Sequence, residues 1–220
     1  MVMDAPLATA TEARLRIAQL LSPAFPTGGF AYSGGTEWAM DAGWLRDGAG
    51  IAGWIADSLA HGTLWLDAVL LALALHQDAD HAALDDLARA LCLSAERLTE
   101  TLDQGAAFAG LAAGLTGTGG APAALPVAVG RACAGLGLPK AEVIALFLQG
   151  QALNLILAAV RFLPLGPAEG QRILAALAPQ IIATAQRAAE ADEQALGTCA
   201  WGAEIAQMRH ETLQTRIFRT

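Results

Sequence analysis

Histidines and carboxylates are the residues to question first about chemistry, and the chain has only four histidines: His61, His76, His81 and His210. His76 and His81 enclose Asp78 and Asp80, the one stretch whose donor types resemble a metal site. Asp and His in a loop are also ordinary turn and capping residues, and that is the preferred reading. Glu37, beside an aromatic-rich turn, has the chemistry of a general acid, but nothing nearby in sequence supplies a partner. Cys92, Cys133 and Cys199 are dispersed, form no CxxC pair and suit a reducing compartment. No HExxH and no GxSxG occurs. The Gly28-Gly29 pair before a helix invites a phosphate-loop reading, yet no GxxxxGK[ST] follows and no strand precedes it. The chain therefore reads as a non-enzyme: no catalytic residue, no cofactor and no metal site is expected, with a metal-binding enzyme built on residues 76–81 as the alternative.

Two segments have the residue types of contacts instead. Near the start, FPTGGFAYSGG (residues 25–35) is a proline-stiffened turn whose glycines let a backbone approach closely, with Phe30 and Tyr32 set between them. The plain reading is an interhelical corner with both rings in the core. At the end, MRHETLQTRIFRT places Arg209, Arg216 and Arg219 against Glu211 alone, while the whole chain carries a net charge of −8. Ile217 and Phe218 add apolar bulk among those arginines. Such a tail is either an interface anchor or a frayed helix end whose basic groups suit the C-terminal dipole. Under both readings it adds little to the fold, so its removal should barely move the melting temperature.

The elements that must carry these segments are helices. Strand signals are nearly absent, and helix starts and stops recur throughout. One helix is expected over residues 12–21 and another after a Ser33 cap. Asp47, Asp80 and Ser94 cap three more, with Thr63 to His76 strongly apolar apart from Asp67. Gly48 is taken as an exposed cap position. Residues 117–123 form a loop, Pro126 and Pro139 start helices, and a helix over 168–190 is expected to kink at Pro179. A last helix spans residues 198–210. The helix over 140–162 is apolar on nearly every face and is expected to form the centre of the bundle. The fold is read as all-α, a compact single-domain bundle of about eight to ten helices over residues 1–220.

Composition bounds the partners. Hydrophobic residues make up 55% of the chain and charged ones 15%, which leaves a surface short of charge and suited to being covered by other chains. The acidic balance argues against nucleic acid. Residues 143–160 carry no formal charge, but Gln149, Gln151 and Asn154 would lie at mid-bilayer, so a helix of a bundle is preferred over a membrane span. The opening MVMDAPLATATEARLR has no apolar segment of a secretory signal, and a cytoplasmic protein is expected.

Three blocks carry a resemblance to a known family. QLLSPAFPTGGFAYSGGTE (residues 19–37), NLILAAVRFLPLGPAEGQRILAAL (154–177) and IAQMRHETLQTRIFRT (205–220) are similar to the corresponding blocks of F-type urease accessory proteins, the UreF family. In the second block Asn154 and Arg161 share one side of a helix, read as a polar clamp inside the bundle or a dimer. The resemblance implies a homodimeric adaptor, or chaperone, for nickel insertion during urease maturation. It would bind the D/H-type accessory protein and the G-type GTPase, and present them to apo-urease. It also tips the two segments towards protein–protein interaction, with Gly28, Gly29, Phe30, Tyr32, Glu37, Arg209, His210, Glu211, Arg216, Phe218 and Arg219 as partner-binding residues.

Overall fold

The computed structural model describes residues 10–117 and 120–220. The first nine residues, part of the stretch read for a signal, and Thr118-Gly119 in the expected loop lie outside the described residues. Among those described there are ten α-helices and no strand: α1 (Ala10–Leu20), α2 (Thr36–Asp41), α3 (Gly48–His61), α4 (Thr63–Ala74), α5 (His81–Ala90), α6 (Ala95–Thr116), α7 (Leu125–Cys133), α8 (Lys140–Phe162), α9 (Pro167–Ala189) and α10 (Trp201–His210). The fold is all-α.

The caps follow side-chain chemistry. Asp47 accepts the Gly50 N–H, Asp80 those of Ala82 and Ala83, and Ser94 that of Arg97, each satisfying donors that a helix start leaves without a partner. Gly117, left-handed at φ 70°, closes α6. α9 runs through Pro179 as one helix. Pro179 and Ala175, whose carbonyl loses its usual donor, are both exposed, so water can complete that turn.

The centre of the bundle is α4 rather than α8. Leu64, Leu66, Asp67, Ala68, Val69, Leu70, Leu71, Ala72 and Ala74 of α4 are all buried, and α3, α5, α7, α8 and α9 pack around it. α8 is long and apolar enough by composition to cross a membrane, but it buries one face only. Val143, Ile144, Phe147, Leu148, Ala152, Ile156 and Ala159 point inward at helical spacing, while Gln149 and Leu157 are exposed. Mean hydropathy cannot separate the two helices, because it records how apolar a helix is and not how many neighbours surround it.

Close approach at the α4–α7 crossing requires a small residue. A Cβ on Gly130 would lie 2.5 Å from the Ala74 Cβ. Gly48 also proves buried: a Cβ there would meet the Glu169 carboxylate at 2.6 Å, because α9 covers the start of α3. It is not an exposed cap. Gly53, on the open face of α3, has nothing within 4 Å of its Cβ position. Urea denaturation should therefore find Gly53→Ala more stable by about 0.5–1 kcal/mol from helix propensity. Gly130→Ala should be less stable by roughly 1–3 kcal/mol from overpacking.

Candidate interaction site

The C-terminal tail is neither frayed nor free-standing. After α10 ends at His210, residues 211–220 turn back across α2 and pair with the turn that precedes it. The Arg219 N–H donates to the Ala31 carbonyl at 2.8 Å, and the Ser33 N–H donates to the Thr220 carbonyl at 2.7 Å. The cap position of α2 is Gly35, at φ 79°, and not Ser33, whose hydroxyl donates to the Thr220 carbonyl and accepts the Glu37 N–H, so it ties the first turn of α2 to the tail. The Phe218 ring is buried beneath the Arg161 guanidinium, 4.5 Å from the ring centroid, and Arg161 donates to the Phe30 carbonyl at 2.6 Å.

Glu37 is the hub. Only 1% exposed, it accepts the Ile217 N–H at 2.6 Å, the Phe218 N–H at 3.0 Å and lies 2.9 Å from His210 Nε2. The other ring nitrogen of His210, Nδ1, lies 2.7 Å from Glu96 of α6. Arg216 takes the second Glu96 oxygen at 2.7 Å. Three acids of α6 at helical spacing face the tail: Glu96 meets Arg216, Glu100 accepts from the Thr220 hydroxyl at 3.5 Å, and Asp103 lies 3.8 Å from Arg219. Tyr32 donates its hydroxyl to Asp103 at 3.0 Å, and burial pushes its phenol above the ordinary value.

A second ionic cluster underlies this one. Arg97 grips both oxygens of Asp67 at 2.7 and 2.6 Å, with Glu100 3.7 Å away. Burial pushes the carboxyls of Asp67 and Glu100 up, and Arg97 draws both back. Burial also disfavours the charge on Arg97, but Asp67 and Glu100 outweigh it and raise its pKa. Removing Arg97 would strand two buried carboxylates.

The partner-binding residues inferred from the sequence thus divide by exposure. Glu37, His210, Tyr32 and Phe218 are buried and hold the N-terminal turn and α2 to the tail, while Phe30 is 69% exposed and the Arg219 side chain 70%. The aromatic pair of the turn is therefore split rather than tucked in together. Gly28, at φ 77°, uses the left-handed conformation, whereas Gly29 is needed for space: a Cβ there would sit 2.9 Å from Asn154 Nδ2. Arg209 is exposed, and Glu211 accepts the Ala95 N–H at 2.8 Å. Asn154 and Arg161 do face the same segment, but Arg161 is exposed and stacks on Phe218 instead of closing a buried clamp. Beneath the turn lies a cleft of about 330 Å³ that Phe25, Phe108 and Phe147 line together with Gln104, Gln151 and Asn154.

Residues 76–81 do not converge. His76 Nε2 meets Lys140 Nζ at 2.7 Å, His81 Nε2 meets the Ala74 carbonyl at 2.9 Å, and Asp80 caps α5. Among the described residues no group of three or more His, Cys, Asp or Glu is placed to hold a metal ion. The sequence reading missed Glu96, Glu100 and Asp103. Their signal was an acidic i, i+4, i+7 stripe complementary to a basic tail.

Because the tail is packed, the expectation that it adds little to stability is reversed. Deleting residues 216–220 removes the Phe218 ring and leaves Glu37 buried without two of its donors. Thermal denaturation should show a loss of roughly 2–4 kcal/mol, or a midpoint lower by roughly 5–10 °C. Arg219→Ala, at an exposed side chain, should move the midpoint by less than about 1 °C.

The sequence comparisons bear on the same molecule. The UreF family model matches residues 45–178, more than half of the chain. A urease accessory protein UreF of Paracoccus denitrificans (strain Pd 1222) is 60% identical over 212 residues, covering 96% of this chain and 98% of the relative. The UreF of Cereibacter sphaeroides (strain ATCC 17023) is 57% identical over 96% of this chain and its own full length. That of Rhodopseudomonas palustris (strain TIE-1) is 43% identical over 96% of this chain and 93% of the relative. On the family model, which matches the stretch between the N-terminal turn and the tail, and on relatives 43–60% identical over 96% of its length, the chain belongs to the UreF family of urease accessory proteins.

Proposed function

We propose that this protein is a cytoplasmic, non-enzymatic adaptor for urease maturation. It acts as a homodimer that binds a D/H-type accessory protein and a G-type GTPase and presents them to apo-urease for assembly of the nickel centre. The observation that carries this reading is the surface the docked tail creates. Pairing at Ala31 and Arg219 fixes the backbone on both sides, and Phe30, Ile217 (62% exposed) and Arg219 project outward from it. Exposed aromatic, aliphatic and guanidinium groups on a rigid base are what a protein partner can bury with little loss of entropy.

Two further surfaces support an adaptor with several partners. Trp201, Ile205 and Met208 form an exposed i, i+4, i+7 stripe on α10, and Trp44 is 52% exposed close to Gly202 of the same helix. On α8 and α9, Leu157 and Ile182 are exposed on faces with few charges, which suits contact with a second copy. A protein whose named relatives are accessory proteins, and whose buried carboxylates Glu37 and Asp67 are committed to contacts within the chain, is better placed to organise other chains than to transform a substrate.

Co-purification with the D/H-type and G-type proteins and apo-urease tests the reading. Combined Phe30→Ala, Ile217→Ala and Arg219→Ala should leave the melting temperature within about 3 °C and weaken capture of at least one partner more than about tenfold. Normal capture and normal urease activation by that variant would remove this surface from the proposal. A monomer by light scattering at micromolar concentration would remove the dimer.

A further inference from the structure

We propose that the cleft beneath the N-terminal turn is a recognition site for one apolar residue of a protein partner, taken together with its peptide group. The inference names the chemistry by which the surface around Phe30 holds a partner, and in that respect it rests on the proposed function. The cleft encloses about 330 Å³, at the small end of the range for sites that surround an organic molecule. That volume suits a single side chain with its flanking main chain, not a helix. Phe30 lines the cleft and is also exposed on the outward surface, so the two are continuous.

Three helices and the turn build its walls. On α8, Phe147, Gln151 and Asn154 follow at helical spacing and share one face, with Gly150 beside them. α6 contributes Gln104 and Phe108, one turn apart, and α7 contributes Leu125 and Val129. The Phe25 ring of the turn packs on Phe108 with centroids 5.4 Å apart and planes at 52°. With Phe147 these rings make the apolar part aromatic, which favours an aromatic or large aliphatic occupant. None of the described residues that line the cleft is charged. A charged group entering it would lose hydration without gaining a counter-charge, so the occupant is neutral.

The amides decide what else the occupant carries. Gln104 is 2% exposed, and its Nε2 donates to Glu100 at 3.0 Å. That bond fixes the amide, so its oxygen is the atom left to accept. Gln104 Oε1 and Asn154 Nδ2 lie 3.3 and 2.9 Å from the point that a Gly29 Cβ would occupy. An acceptor and a donor therefore flank one small space that only glycine leaves open. Among the described residues, Asn154 makes no side-chain hydrogen bond to a neighbour. A donor beside an acceptor is the complement of a carboxamide, whose carbonyl accepts and whose N–H donates. Aromatic walls next to a carboxamide-reading edge describe an apolar residue within a polypeptide.

N-acetyl-phenylalanine amide is the probe, titrated into the full-length chain while NMR follows the side-chain amides of Gln104, Gln151 and Asn154. We expect saturable shifts at these amides with a dissociation constant on the order of 1 mM, as suits a ligand of this size. Free phenylalanine, a zwitterion, and acetamide, which lacks the ring, should each bind at least about tenfold more weakly. Asn154→Leu keeps an apolar wall but removes the donor, and should weaken the probe about three- to tenfold. Gly150→Leu fills the cleft from α8. The nearest atom to its Cβ position is 3.4 Å away, and leucine favours a helix interior over glycine, so its melting temperature should not fall. Probe binding should nevertheless be lost, and co-purification should show capture of at least one partner reduced about tenfold. No shifts with the probe, equal binding of the zwitterion, or an Asn154→Leu chain that binds as tightly as the unaltered one would each overturn the recognition site. Loss of probe binding in Gly150→Leu with normal capture of every partner would overturn its assignment to a protein partner. An unaltered chain that captures no partner would remove the proposed function and the protein source together, while the probe titration decides the chemistry of the cleft by itself.

Discussion

Glu37 is a carboxylate taken out of water and surrounded by donors that come from the far end of the chain. An isolated ionised carboxylate in such a place would be very costly. Here two main-chain N–H groups of the tail and the ring of His210 face it, so its burial requires α2, α10 and residues 217–218 to be in register. The N-terminal turn, the last helix and the chain terminus therefore form one cooperative unit. Much of the outer surface that could meet another protein, from Phe30 to Ile217 and Arg219, has its shape because that unit is assembled.

The same solution is used twice, one layer apart. Below the tail, Arg97 bridges Asp67 of the central helix and Glu100 of α6; above it, Arg216 and His210 bridge Glu96 and Glu37. Thr220 and Gln104 both reach Glu100 and so link the layers. Buried ion pairs of this kind seldom add much net stability against well-packed apolar residues, but they are intolerant of the wrong register. In a bundle of alanine- and leucine-rich helices these clusters act with the close Gly130–Ala74 crossing to favour one register over its neighbours.

Most of the fold was legible in the chain. The helix starts at Asp47, Asp80 and Ser94 are local chemistry, since a side-chain oxygen meets N–H groups two or three residues on. The loop beginning at Gly117 and the helix beginning at Lys140 are equally local. The order of burial was not legible. α4 and α8 are both apolar, and only the arrangement of α3, α5, α7, α8 and α9 around α4 makes the shorter helix the centre. Gly48 fails for the same reason: its surroundings come from Glu169 and Ile173, more than a hundred residues away.

The sequence by itself determined that the chain is helical, where most helices begin and end, which family it belongs to, and that both ends carry contact-forming residues. Those properties depend on residues a few positions apart or on matched blocks, and each survives in a linear reading. Tertiary structure alone decided what the contact-forming residues contact. Phe218 and Phe30 are the same residue type in similar glycine- or arginine-rich settings, yet one is 4% exposed and the other 69%. The difference arises because Glu37 and Ala31 bind the tail's backbone and fix which of its side chains points inward. A hydrogen bond spanning some 180 residues leaves no local trace in the residues it joins.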